Sequence, residues 1–115
     1  MSNRIMYLRD SYRSDEFNKT LAGAPVGCVA INMEKGATQA FYSFSTLNPV
    51  DRFERGVARR LALGGMVESP FTVHISRHAT MHDISTAIMK DLSCNKKAPA
   101  RARKAALLWL RWNGA

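Results

Sequence analysis

Residues 41–65 read FYSFSTLNPVDRFERGVARRLALGG, and no other stretch constrains the fold as much. It begins as a strand. Alternation puts Ala40, Tyr42 and Phe44 on one face and Phe41, Ser43 and Ser45 on the other. A helix entry follows. Asn48 is placed as N-cap and Pro49 at the first helical position, where its missing N–H costs nothing. Asp51 sits at the third, where its carboxylate accepts from free backbone donors. Val50, Phe53, Val57 and Leu61 recur at i, i+3, i+7 and i+11, the spacing of a core-facing stripe. A mid-helix glycine, Gly56, costs about 0.5–1 kcal/mol against alanine, and close packing on the sheet is the expected reason for it. Gly64 and Gly65 supply the stop.

A strand that runs into a capped helix needs a partner strand, and residues 26–33 (VGCVAINM) supply one. Gly36 stands in the turn between them. Residues 70–76 (PFTVHIS) read as a further strand, with Phe71, Val73 and Ile75 facing one way. Upstream, Ile5 and Tyr7 mark a short edge strand. Ser14, Asp15 and Glu16 look like the start of a short helix that Gly23 and Pro25 end. Downstream, residues 80–83 (TMHD) form a capping-box entry to a helix carrying Met81, Ile84, Ile88 and Leu92 on one side, closed by Asn95. Ala98-Pro99 opens the last helix, which runs to about Trp112. The expected class is α+β: a three- to four-stranded antiparallel sheet with helices packed on one face. One domain over residues 1–115 is expected, with a basic C-terminal helical segment at 96–112.

With 46% hydrophobic residues the chain has enough apolar material for a core, which argues against disorder. No apolar run is long enough to span a membrane, and charges interrupt residues 1–13, so no signal peptide is read there. Cys28 and Cys94 share no metal spacing and are expected as free buried thiols in a reducing cytoplasm.

Charge is unevenly placed. Of the net +8, residues 1–50 and 51–68 contribute +1 each, and residues 69–115 contribute +6. No acid follows Asp91. Lys96, Lys97, Arg101, Arg103, Lys104 and Arg111 therefore stand unopposed, which fits a polyanionic partner and equally fits a solvated basic face. Five of these cations crowd the N-terminal end of the last helix, where the helix dipole favours acids. A bound anion would offset that conflict. Trp109 and Trp112 share the alanine-rich face of this helix, which reads as core anchoring, with base stacking as the other use. Arg55, Arg59 and Arg60 extend the candidate footprint on the central helix, with Arg52 beside them; Asp51 can pair with Arg55 at i, i+4.

Catalytic patterns are absent: no G-x-S-x-G, P-loop, H-E-x-x-H or C-x-x-C occurs. His74, His78 and His82 are spaced by four but fall on a strand, a loop and a helix start, so they do not share the face that a metal pair needs. Beside Arg77, His78 and His82 can instead meet phosphate at a helix N-terminus. A non-enzymatic protein without cofactor or metal is expected.

The pattern S-x-x-x-P-x-D-x-F-x-R followed by an Arg- and Ala-rich helix resembles small uncharacterised accessory proteins of tailed bacteriophages. Ser45, Pro49, Asp51, Phe53, Arg55, Arg59, Ala62 and Leu63 carry that resemblance over about a quarter of the chain. It implies a phage-encoded protein acting in a bacterial host cell, and it assigns no catalytic residue. The leading expectation is a binding protein for nucleic acid or a nucleoprotein complex, using Lys96, Lys97, Arg101, Arg103 and Lys104 with Arg55, Arg59 and Arg60. The alternative is an inhibitor docking on a host protein such as a defence complex or polymerase, arginines against an acidic patch. A small enzyme with a site near His74, His78 or His82 is the third.

Overall fold

The computed structural model describes residues 2–33, 36–46 and 55–114. Its elements are β1 (Ser2–Arg9), β2 (Tyr12–Ser14), β3 (Thr20–Ala22), β4 (Pro25–Met33), β5 (Gln39–Thr46), α1 (Arg55–Glu68), β6 (Phe71–His74), α2 (Met81–Ser93) and α3 (Ala100–Trp109). A π-helical turn, Leu110–Gly114, follows α3. The expected α+β class holds: β1, β4, β5 and β6 form an antiparallel sheet in that spatial order, with β2 and β3 paired as a separate ribbon.

β1 through β4 form one long bent hairpin. After the β1–β4 pairing, Asp10 N donates to Ala24 O and Gly23 N to Ser11 O, and the pairing resumes in β2 and β3. The register shifts where Leu8 faces Gly27 and Arg9 faces Pro25, which leaves Val26 as an extra residue and turns it into the core. The helix expected from Ser14 onward is therefore corrected to a hairpin tip. Asp15 Oδ1 accepts from the N–H of Phe17 and of Lys19, and Asn18 takes φ 61°. An aspartate that caps backbone donors serves a turn as well as a helix, so its presence did not distinguish them.

The helices divide between the two faces of the sheet, in place of the single face expected. Val29, Ile31, Ala40, Tyr42 and Val73 point to the face covered by α2 and α3, where Ile84, Ile88, Met89, Leu92, Ala102, Ala105 and Ala106 bury. Cys28 and Ala30 point the other way, against Ala58 and Ala62 of α1. The reason is size. Cys28, Ala30, Ser43 and Ser45 make a small-residue floor, and α1 meets it with Ala58, Ala62 and Gly65. A Cβ on Gly65 would sit 2.1 Å from Ser43 Oγ, so the helix lies close on the strand there. Ala58 O accepts from Ser45 Oγ at 2.7 Å and from Cys28 Sγ at 3.0 Å.

This arrangement corrects three expectations for α1. Gly64 and Gly65 lie inside the helix, which continues to Glu68. The glycine in close contact is Gly65, whereas a Cβ on Gly56 would meet no atom of the described residues within 4 Å. Val57 and Leu61 are exposed rather than core. The entry built from Asn48, Pro49, Val50 and Asp51, with Arg52 and Phe53, lies outside the described residues.

α2 matches its reading. Thr80 N donates to Asp83 Oδ2 and Asp83 N donates to Thr80 Oγ1, a complete capping box. Ile84, Ile88 and Leu92 are fully buried, each contributing about 1.5–3 kcal/mol of hydrophobic stabilisation. α3 is capped by Pro99 without a side-chain bond. Among the described residues no helix is long and apolar enough to cross a membrane.

Candidate polyanion-binding surface

Asn95 and the buried Ala98 tie the α2–α3 turn to the core. Asn95 Oδ1 accepts from Lys97 N at 2.9 Å, and Asn95 Nδ2 donates to the Tyr42 hydroxyl at 3.1 Å. Tyr42 is fully buried in β5, and its hydroxyl donates to Asp91 Oδ2. Burial first, and then the bond to Asp91, raise the Tyr42 pKa well above its ordinary value. The last acid of the chain is thus engaged with a core tyrosine, and Lys96 and Lys97 sit exposed on the turn beyond it.

Arg101 and Lys104, one turn apart on α3, line a cleft of about 130 Å³ together with Arg9 and Asp10. Its apolar walls are Val26, Ala105 and Leu108. Arg9 comes from the far end of β1, at the bend of the long hairpin. Its Nη1 donates to Gly23 O at 3.3 Å, and its guanidinium lies 5.8 Å from the Tyr7 ring centre, so its position is set before any ligand arrives. Three cations against the single carboxylate of Asp10 leave the cleft cationic. Asp10 Oδ1 accepts from Ser11 Oγ at 3.1 Å.

Past the cleft, the Trp112 ring stacks on Tyr12 of the ribbon at 6.3 Å between centroids. Burial is the main cause that raises the Tyr12 pKa, and Arg9 acts against it. Trp112 remains 36% exposed, so it is no core anchor; Trp109 packs against the core, with its ring 6.1 Å from that of His82.

The expected site residues separate into three groups. Lys96, Lys97, Arg101 and Lys104 lie along the turn and one flank of α3. Arg103 lies about 160° around the helix from Arg101, and its Nε is buried without a hydrogen-bond partner among the described residues. Arg59 and Arg60 are exposed on α1, on the opposite side of the sheet; the side chain of Arg55 lies outside the described residues. One continuous face therefore does not carry both arginine sets. Arg9 and Tyr12 were missed because only the bend of the hairpin brings them to α3. Their one sequence trace is an arginine and a tyrosine at the end of a predicted edge strand.

His74, His78 and His82 are all exposed, and no group of three His, Cys, Asp or Glu among the described residues has metal-binding geometry. Both thiols are free, as expected; Cys28 is buried and Cys94 is exposed, which corrects the reading of both as buried. Comparison of the chain with protein-family models, curated proteins and solved structures finds no match.

Proposed function

We propose that this chain is a small binding protein that takes a polyanion, a nucleic acid or nucleoprotein, along the turn and outer flank of α3. The observation that carries this reading is the convergence of Arg9, from β1, on Arg101 and Lys104 of α3 around one cleft. Lys96 and Lys97 continue the positive strip. A guanidinium held in place as that of Arg9 is suits phosphate oxygens, because little rotamer freedom is lost on binding. The Tyr12–Trp112 stack at the end of the strip adds an aromatic surface of the kind on which bases stack. A phage accessory protein with such an activity would act in an infected bacterial cell.

Fluorescence anisotropy with labelled single- and double-stranded oligonucleotides tests the proposal. Neutralising three to four phosphates gives a log–log salt slope of about −2 to −4. Absence of binding at low salt, or binding that ignores salt, rejects it. A stoichiometric protein captured from nuclease-treated lysate, with no oligonucleotide binding, would favour the inhibitor reading instead.

A further inference from the structure

We infer that the polyanion taken by this surface is a single strand of DNA or RNA, one base of which stacks on Trp112 while its phosphates lie over Arg9, Arg101 and Lys104. This rests on the polyanion reading above and narrows it, because phosphate contacts alone do not separate a single strand from a duplex.

One row of α3 carries both halves of the site. Arg101, Ala105 and Leu108 stand at i, i+4 and i+7, and Trp112 at i+11 continues the row into the π-helical turn. The four fall within about 60° of one another around the helix. The bend of the long hairpin runs beside this row in the same direction. Arg9 and Asp10 meet it at Arg101 and Lys104, and Tyr12 meets it at Trp112. Between those two contacts the cleft walls are apolar, from Val26, Ala105 and Leu108. Cations at one end and an aromatic ring at the other are what a backbone phosphate and its base require of a single-strand site.

The ring is built to be stacked on. Tyr12 backs it with 26° between the ring planes, yet Trp112 keeps 36% of its surface exposed. A tryptophan that only pinned the ribbon to the helix would gain from full burial. Arg111, exposed beside it and at i+7 from Lys104, carries the positive charge up to the ring, and no acid stands on α3 or in the turn after it. Burial pushes the Tyr12 pKa up, which keeps a phenolate charge away from the strand.

The ring then selects between the two forms of nucleic acid. In a duplex each base is paired and stacked on both sides, so a protein side chain in a groove meets only base edges. The flat face that an indole can cover is open in a single strand, and it is open in DNA and RNA alike.

Three labelled probes of equal length, compared by anisotropy at low salt, test this. They are a homopolymer strand (oligothymidine and oligouridine in parallel), the corresponding duplex, and an abasic strand that keeps the phosphates and lacks the bases. The wild type should hold both homopolymer strands about tenfold or more tighter than the duplex or the abasic strand. A duplex carries the denser charge, so phosphate contacts alone predict the opposite order. Trp112→Ala should lose about tenfold in affinity for the homopolymers with an unchanged salt slope, since no charge is removed. Trp112→Phe, which keeps a ring, should retain most of that affinity, and both variants should match the circular dichroism spectrum of the wild type. A duplex or an abasic strand held as tightly as the homopolymers overturns the inference and leaves the polyanion reading standing. So does a Trp112→Ala chain with full affinity. Absence of binding to all three probes overturns both.

Discussion

The Tyr42 hydroxyl donates to Asp91 Oδ2 at 2.5 Å, joining the middle of β5 to the last turn of α2. The contact holds Asn95 and the turn that follows, and it occupies the last carboxylate of the chain. Tyr42→Phe removes the donor and keeps the ring. The expected loss is about 1–2 kcal/mol in urea unfolding, small for a charge-assisted bond because Asp91 is exposed and regains water. The raised Tyr42 pKa adds a pH signature. Its contribution is fully present below the ordinary value near 10, and is lost as pH rises above it, because the unfolded chain ionises first. Alkaline unfolding of the wild type should therefore begin near pH 10, with a shallower dependence in Tyr42→Phe.

Asp83 gives the opposite sign. The backbone N–H of Thr80, and then its side chain, hold the Asp83 carboxyl below its ordinary value of 3.8. That contribution is present above this value and is lost as pH falls through the lower folded pKa. The melting temperatures of wild type and Asp83→Ala should differ at neutral pH and converge in strong acid.

Two glycines of α1 should respond oppositely to alanine. At Gly56 the added methyl meets no atom of the described residues, so Gly56→Ala should stabilise by about 0.5–1 kcal/mol through helix propensity. At Gly65 it meets Ser43, whose Oγ must swing away and whose Cβ would still lie at 3.3 Å. Gly65→Ala should forfeit that gain and destabilise by about 1 kcal/mol or more. Thermal melts followed by circular dichroism compare the two directly.

The thiols should titrate in two classes. Cys94 is exposed and should react with an aromatic disulfide reagent in native buffer. Cys28 is fully buried, donates to Ala58 O and has its pKa pushed up, first by burial; it should react only after denaturant is added. Two fast thiols would show that α1 does not cover β4.

If the α3 flank meets phosphate, Arg9→Ala, Arg101→Ala and Lys104→Ala should each lower oligonucleotide affinity and reduce the salt slope by about one contact. Arg59→Ala and Arg60→Ala, across the sheet, should change neither. Equal effects from both sets would reject the surface assigned here.

Local chemistry was legible where one element decides its own ends. The residue 80–83 capping box, the β4–β5 pairing and the alternation of Tyr42 against Ser43 all appear in the structure as read. What failed was choosing the buried face of α1. Val57 and Leu61 carry more hydrophobicity than Ala58, Ala62 and Gly65, and periodicity weighs only that. The sheet beneath offers Cys28, Ala30 and Ser45, and a helix fits there by being thin. The cleft was half legible. Its α3 cations stood out as unopposed charge, whereas Arg9 arrives through a bend that depends on pairing across about fifteen residues.

The grip on α1 has an evolutionary consequence. The helix is fastened by a carbonyl, Ala58 O, and by the absence of side chains at Gly65. Neither depends on what the outward residues are. Substitutions at Val57, Arg60, Leu61 and Val67 can therefore accumulate with little penalty to folding, so related chains can diverge quickly along this face and acquire or shed a partner without first losing the fold.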